Sequence, residues 1–177
     1  TPLPDGETVT TNKRPHLGEF LARLQALPCE VVIFTAAVPH YASPVLDTLE
    51  REFGATFRHR LYRGSCDQRA GHFLKDLRVL GRDLRRTVLV DNNPYCFLPQ
   101  PSNGVPIASF YDQRDDAELL RVANLVDLRC RVDKGSASPD GFADVDVHPI
   151  LDTRFGLAKK LANYRKQVYP GTPFSRL

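Results

Sequence analysis

Short, unbroken apolar runs alternate along this chain with longer stretches in which apolar residues recur every three or four positions. Val31, Val32, Ile33 and Phe34 form one run, within a strand predicted over residues 30–35, and Val88, Leu89 and Val90 form another. Both are too brief for a helix, and their β-branched composition is that of strands covered on both faces. Residues 57–63 alternate instead, Phe57, His59 and Leu61 against Arg58, Arg60 and Tyr62, which predicts a half-exposed strand. Residues 105–109 give a further short strand. Leu17, Phe20, Leu21 and Leu24 mark one face of a helix that Pro15 opens at its first position and Pro28 ends. A second helix is predicted over residues 42–53, burying Val45, Leu46, Leu49 and Phe53, with Gly54 at its C-terminal end. Residues 73–80 read as a short helix stopped by Gly81, with Lys75 on it. Asp115 or Asp116 caps a helix that turns Leu119, Val122, Ala123 and Val126 inward. A last amphipathic helix over residues 153–169 sets Leu157, Leu161, Tyr164 and Val168 on one stripe. Residues 64–71 and the stretch with Pro94, Pro99 and Pro101 read as loops. Strands alternating with helices predict an α/β fold built on a parallel sheet. The division expected is a domain over 1–132, a linker over 133–143 and a basic helical extension over 144–177.

Composition narrows this little. Hydrophobic residues make up 42% and charged residues 25% of 177, ordinary values for a globular chain, and no apolar run reaches membrane-spanning length. The net charge is only +3 but unevenly spread. After Asp152 no acidic residue remains, whereas Arg154, Lys159, Lys160, Arg165, Lys166 and Arg176 follow. Such an end suits an acidic protein, a nucleic acid or an anionic membrane, or is simply a solvated helix face. Cys29, Cys66, Cys96 and Cys130 show no C-x-x-C spacing and read as reduced thiols of an intracellular protein. The scattered histidines give no zinc pattern. The chain has no methionine and begins on Thr1, which reads as the loss or omission of an N-terminal portion.

The chemistry concentrates where the apolar runs stop. The run ending at Val90 breaks off on Asp91, Asn92 and Asn93, with Pro94 forbidding continuation. The carboxyl ends of parallel strands are where ligands bind in open α/β sheets, and Asp91 and Asn92 carry the hard oxygens that Mg²⁺ prefers. Taken alone, the same residues equally describe a capped turn. Thr35 ends another strand, and Lys75 sits beside Asp76. Together a hydroxyl, an ammonium and oxygen ligands suit phosphoryl transfer, which rests on positioning and charge neutralisation. No G-x-x-x-x-G-K-[ST], G-x-G-x-x-G or G-x-S-x-G occurs, so nucleotide binding and serine hydrolysis lack support.

Six blocks carry a family resemblance: Lys13-Arg14-Pro15-His16, Phe34-Thr35-Ala36-Ala37, Tyr62-Arg63-Gly64-Ser65-Cys66, Leu74-Lys75-Asp76-Leu77, Leu80-Gly81-Arg82-Asp83-Leu84 and Val90-Asp91-Asn92-Asn93-Pro94. In this order and spacing, over about residues 12–128, they resemble the small C-terminal-domain phosphatases of RNA polymerase II, within the haloacid-dehalogenase superfamily. The resemblance implies a haloacid-dehalogenase-like α/β fold and a Mg²⁺-dependent phosphoserine/phosphothreonine phosphatase that works through an aspartyl-phosphate. It also implies that Thr35 and Lys75 bind the phosphoryl group and Arg63 lies at the substrate's way in. Asn92 would ligate Mg²⁺, with Asp91 supporting the metal's coordination sphere.

One departure is large. The family's first strand ends in an Asp-Leu-Asp-Glu-Thr signature that supplies the nucleophile and the acid/base, and no such motif precedes Lys13 here. Because that strand is central to the family's sheet, it is expected either upstream or donated by a second chain. The alternative is a remodelled, inactive domain. A second, shorter likeness, Asp146-Val147-His148-Pro149-Ile150-Leu151 before a basic helix, resembles the end of the mitochondrial inner-membrane translocase receptor of the same superfamily. That likeness implies a non-enzymatic import or scaffold subunit of a larger assembly in the mitochondrion. The phosphatase reading implies a phosphoprotein substrate and, for the polymerase-directed type, a nucleus.

Overall fold

The computed structural model describes residues 1–131 and 146–170. These fall into two units, residues 1–64 with 109–131, and residues 65–108 with 146–170. The linker expected over 133–143 lies outside the described residues.

In the first unit, β1 (Val32–Phe34) pairs in parallel with β2 (His59–Leu61), Val32 opposite His59 and Phe34 opposite Leu61. The crossover between them is α2 (Pro39–Phe53), which ends on Gly54 in the left-handed region at φ 61°. Leu21 of α1 (Leu17–Gln25) meets Leu46 of α2, Ala55 and Phe57 in a small core, with Val31, Ile33 and Phe53 half-buried around it. Pro15 does not open α1. His16 takes φ 63° as the residue before the helix, so the chain turns once more and the helix begins at Leu17. Helix α3 (Glu118–Arg131) packs on α1. Asp116 fixes its start: one carboxylate oxygen accepts the Glu118 N–H at 3.1 Å, and both accept from the Arg14 guanidinium at 2.7 Å.

In the second unit, residues 64–80 differ from the loop and helix expected of them. A 3-10 turn at Arg63–Ser65 joins the units' boundary to an antiparallel hairpin, β3 (Asp67–Arg69) with β4 (His72–Leu74), turned by Ala70 and Gly71 at positive φ. Lys75 therefore follows a strand rather than riding on a helix. Only a 3-10 turn, Leu77–Leu80, comes after it. Asp76 caps that turn by accepting the Arg78 N–H, and Gly81 at φ 61° stops it. A strand of three residues is too short to announce itself by alternation, which is why the hairpin escaped the pattern.

The remaining sheet pairs β5 (Leu89–Asp91) in parallel with β6 (Gly104–Pro106). Two 3-10 turns, Pro94–Phe97 and Pro101–Asn103, fill the Pro-rich stretch between them. The C-terminal stripe is not one helix. Gly156 at φ 58° separates α4 (His148–Phe155) from α5 (Leu157–Lys160), and Leu161 separates α5 from α6 (Ala162–Val168). The break shifts the helical phase: Leu157, Leu161 and Val168 are buried as expected, but Arg165 is buried where Tyr164 stays exposed. These residues complete a core with Leu74, Leu77, Leu89, Phe97 and Leu98. The architecture is thus mixed α/β with small parallel sheets flanked by helices, as expected for a haloacid-dehalogenase-like domain. No helix among the described residues is long and apolar enough to cross a membrane.

Candidate phosphoryl-binding site

The residues singled out by the sequence form two groups, one in each unit. Thr35 directly follows β1, and its N–H extends the ladder by donating to the Leu61 carbonyl at 2.8 Å. Its hydroxyl oxygen accepts the Ala37 N–H at 3.1 Å, so the backbone folds over this side chain in a tight turn. Arg63 grips the same turn from the other strand's end. Its backbone N–H donates to the Ala37 carbonyl (3.0 Å) and its Nε–H to the Ala36 carbonyl (2.7 Å). The structure therefore brings Thr35 and Arg63 to one turn, with Arg63 exposed.

In the second unit Lys75 leaves the end of β4 and Asp91 closes β5. Lys75 Nζ donates to Asp91 Oδ2 at 2.5 Å, with the two side chains only 10% and 8% exposed. Two charges this far from water persist only because each neutralises the other. The second carboxylate oxygen, Oδ1, accepts the Asn93 N–H at 2.7 Å, and Asn93 Oδ1 accepts the Tyr95 N–H at 3.1 Å to begin the next turn. Asn92, between these anchors, is exposed.

Two neighbours had no signature in the sequence. Cys96 lies behind the pair, its Sγ 3.8 Å from the Phe73 carbonyl. Burial, reinforced by the Asp91 charge, pushes its thiol up to about 12, so it is a packing group rather than a nucleophile. Gln100 is buried and bonded to the residues that follow Lys75. Burial works against the charge of Asp76, but the Arg78 guanidinium and N–H, with the Gln100 amide, outweigh it and hold that carboxyl below its ordinary value.

The donors at the end of β5 fit a hard cation from one side. Asn92 is an exposed amide residue at this strand end, and both oxygens of Asp91 face donors. Among the described residues no three His, Cys, Asp or Glu side chains are grouped so as to hold a metal by themselves. A Mg²⁺ ion here would take most of its oxygens from water and phosphate, as it commonly does.

Residues 1–136, well over half the chain, match the family model described as NLI interacting factor-like phosphatase. The chain belongs to that family. Among similar proteins, a probable C-terminal domain small phosphatase of Dictyostelium discoideum is 45% identical over 121 residues, 68% of this chain and 39% of that protein. The carboxy-terminal domain RNA polymerase II polypeptide A small phosphatase 1 of Homo sapiens is 46% identical over 121 residues, 68% of this chain and 45% of that protein. Phosphatase Herzog of Drosophila melanogaster is 43% identical over 121 residues, 68% of this chain and 34% of its own length. The chain spans less than half the length of each of these relatives. The resemblance to small C-terminal-domain phosphatases agrees with these matches, and the likeness to a mitochondrial translocase receptor gains no support from them.

Proposed function

We propose that this domain binds the phosphoryl group of a phosphoserine or phosphothreonine in a protein substrate, for hydrolysis with the help of Mg²⁺. The observation that carries the reading is the buried Lys75–Asp91 ion pair at the end of a parallel strand. An ammonium fixed in a low-dielectric setting neutralises phosphoryl oxygens far better than a solvated one, and costs no reorganisation when the charge develops. Asp91 aims it. Asn92 supplies an oxygen to Mg²⁺, which when bound would neutralise and orient the phosphate. Thr35 is assigned a phosphate hydrogen bond through its hydroxyl, and Arg63 a contact with the incoming phosphoprotein. The aspartyl nucleophile and the acid/base of the proposed reaction are the pair of the family's Asp-x-Asp motif, and no residue of this chain is assigned to either role. The exposed Lys159, Lys160 and Lys166 are proposed to face acidic segments of a protein partner.

Hydrolysis of p-nitrophenyl phosphate by this domain together with a strand that carries the family's Asp-x-Asp motif, with and without Mg²⁺, tests the reading. Mg²⁺-dependent turnover that Lys75→Ala lowers by about a hundredfold or more is the expected result. Turnover unchanged by Lys75→Ala would overturn the role of Lys75, and no turnover at all would leave the chain a binding domain rather than an enzyme.

A further inference from the structure

Gln100 is 8% exposed and stands between Pro99 and Pro101, whose rings fix the backbone on either side of it. Its amide is spent on the two residues that follow Lys75. Oε1 accepts the Leu77 N–H at 2.9 Å, and Nε2 donates to Asp76 Oδ1 at 2.9 Å. The partners settle which end is which, because an N–H only donates and an ionised carboxylate only accepts. On the far side of Lys75, Leu74 ends β4 fully buried in the core. Lys75 is therefore one residue slung between a packed strand end and a clamped turn. Its flexible four-carbon stem would sample many directions unless the backbone beneath it were held. Merely satisfying the Leu77 N–H would require an acceptor and nothing more. The added donor to Asp76, already paired with Arg78, has no such purpose.

We propose that Gln100 is a positioning residue: by holding the backbone of Asp76 and Leu77 it keeps Lys75 in its buried ion pair with Asp91, and so fixes where the ammonium meets a phosphoryl oxygen. This deepens the phosphatase reading and rests on it for the purpose of the ammonium, but not for the clamp itself.

The test reads Lys75 directly in the whole chain, as its rate of acylation by an amine-selective reagent located by peptide mass spectrometry. The exposed Lys159 and Lys160 serve as internal controls. Gln100→Met keeps the bulk and removes both hydrogen bonds. Gln100→Glu keeps the acceptor for Leu77 and sets a second carboxylate against Asp76. Each raises Lys75 acylation about tenfold with the controls unchanged, since losing a buried hydrogen bond shifts a local opening equilibrium by about that factor. Leu151→Ala, a core deletion in α4 of the same unit, serves as the packing control and leaves Lys75 near its original protection, which a role of Gln100 in packing alone would not allow. Lys75 as protected in a folded Gln100→Met as in the unaltered chain, or as strongly exposed by Leu151→Ala, overturns the proposal. Should Gln100→Met fail to fold, Gln100→Glu and Leu151→Ala decide between the same outcomes. In turnover by the domain together with a strand carrying the Asp-x-Asp motif, Gln100→Glu lowers kcat more than it alters KM. Absence of phosphate-ester turnover even with the Asp-x-Asp strand present defeats the phosphatase reading, while the acylation pattern still decides the part played by Gln100.

Discussion

At the scale of single residues, Lys75 and Asp91 form a buried pair that cannot be parted cheaply. Lys75→Met leaves the Asp91 carboxylate, only 8% exposed, without its counter-charge, so it is expected to lower stability by about 3–5 kcal/mol in urea unfolding. Replacing both partners, Lys75→Met with Asp91→Leu, is expected to recover much of that loss. Cys96 gives a prediction in pH. Its thiol rises from an ordinary value of 9.0 to about 12 in the fold. Between those values the unfolded chain gives up the proton that the folded chain keeps, so the unfolded state binds fewer protons and stability falls as pH rises through that window. Below that window both states hold the proton, so the stability is fully present and does not change with pH. Stability measured from pH about 8 to about 10.5 should therefore fall more steeply for the native chain than for Cys96→Ala. Thr35, Lys75, Asp91 and Asn92 stood out in the sequence as polar groups at or beside the ends of apolar segments, and the structure joins two of them, Lys75 and Asp91, in one ion pair. Gln100 did not stand out, since its partner Asp76 lies 24 positions away and only the folded chain joins them.

At the scale of elements, long periodic stretches announced themselves and short ones did not. Helices α1, α2 and α3 follow their apolar spacing, and Gly54 and Gly81 stop segments in the left-handed conformation that their missing side chain permits. The β3–β4 hairpin is only three residues on each side, and its pairing is not written in any alternation. The C-terminal stripe misled in another way, because its apolar spacing continued through a glycine that breaks the helix. Element packing also gives a sharp test at Gly104. A Cβ there would stand 2.5 Å from Leu157 Cδ1 and 2.8 Å from Phe97 Cδ1, so α5 and the Pro94–Phe97 turn close directly on β6. Gly104→Ala is expected to cost about 1–3 kcal/mol by overpacking, read as a lower unfolding midpoint, and Leu157→Ala in the same chain should relieve part of the clash.

At the scale of the molecule, the α/β class was legible from alternation, and the family from six separate blocks. The arrangement of the described residues into three two-stranded sheets was not, because strand pairing depends on contacts distant in sequence. Nor did charge reveal what the C-terminal segment does. Its basic residues suited an acidic partner or a solvated helix face, and the structure adds that Leu157 and Leu161 enter the core of the second unit. Val147 N–H donates to the Arg85 carbonyl at 2.7 Å, and Ser102 donates to Asp152, so backbone and side chains tie the segment down as well. A chain shortened to end at residue 132 should expose Leu74, Phe97 and Leu98, bind a hydrophobic dye and lose cooperative unfolding in the second unit. Full cooperativity in the shortened chain would show that these helices are dispensable.

Asn103 and Gly104 carry a consequence for how the molecule ages. Asparagine before glycine is the pairing most prone to deamidation, in which the following backbone nitrogen attacks the side-chain amide. Here the Gly104 N–H is already given to the Pro101 carbonyl, and the Asn103 amide donates to the Leu84 and Thr87 carbonyls at 2.6 and 2.7 Å. The nucleophile and its target are both held in other bonds, inside the protein. Isoaspartate at this position should then accumulate in proportion to time spent unfolded, making it a chemical clock of how often this unit opens.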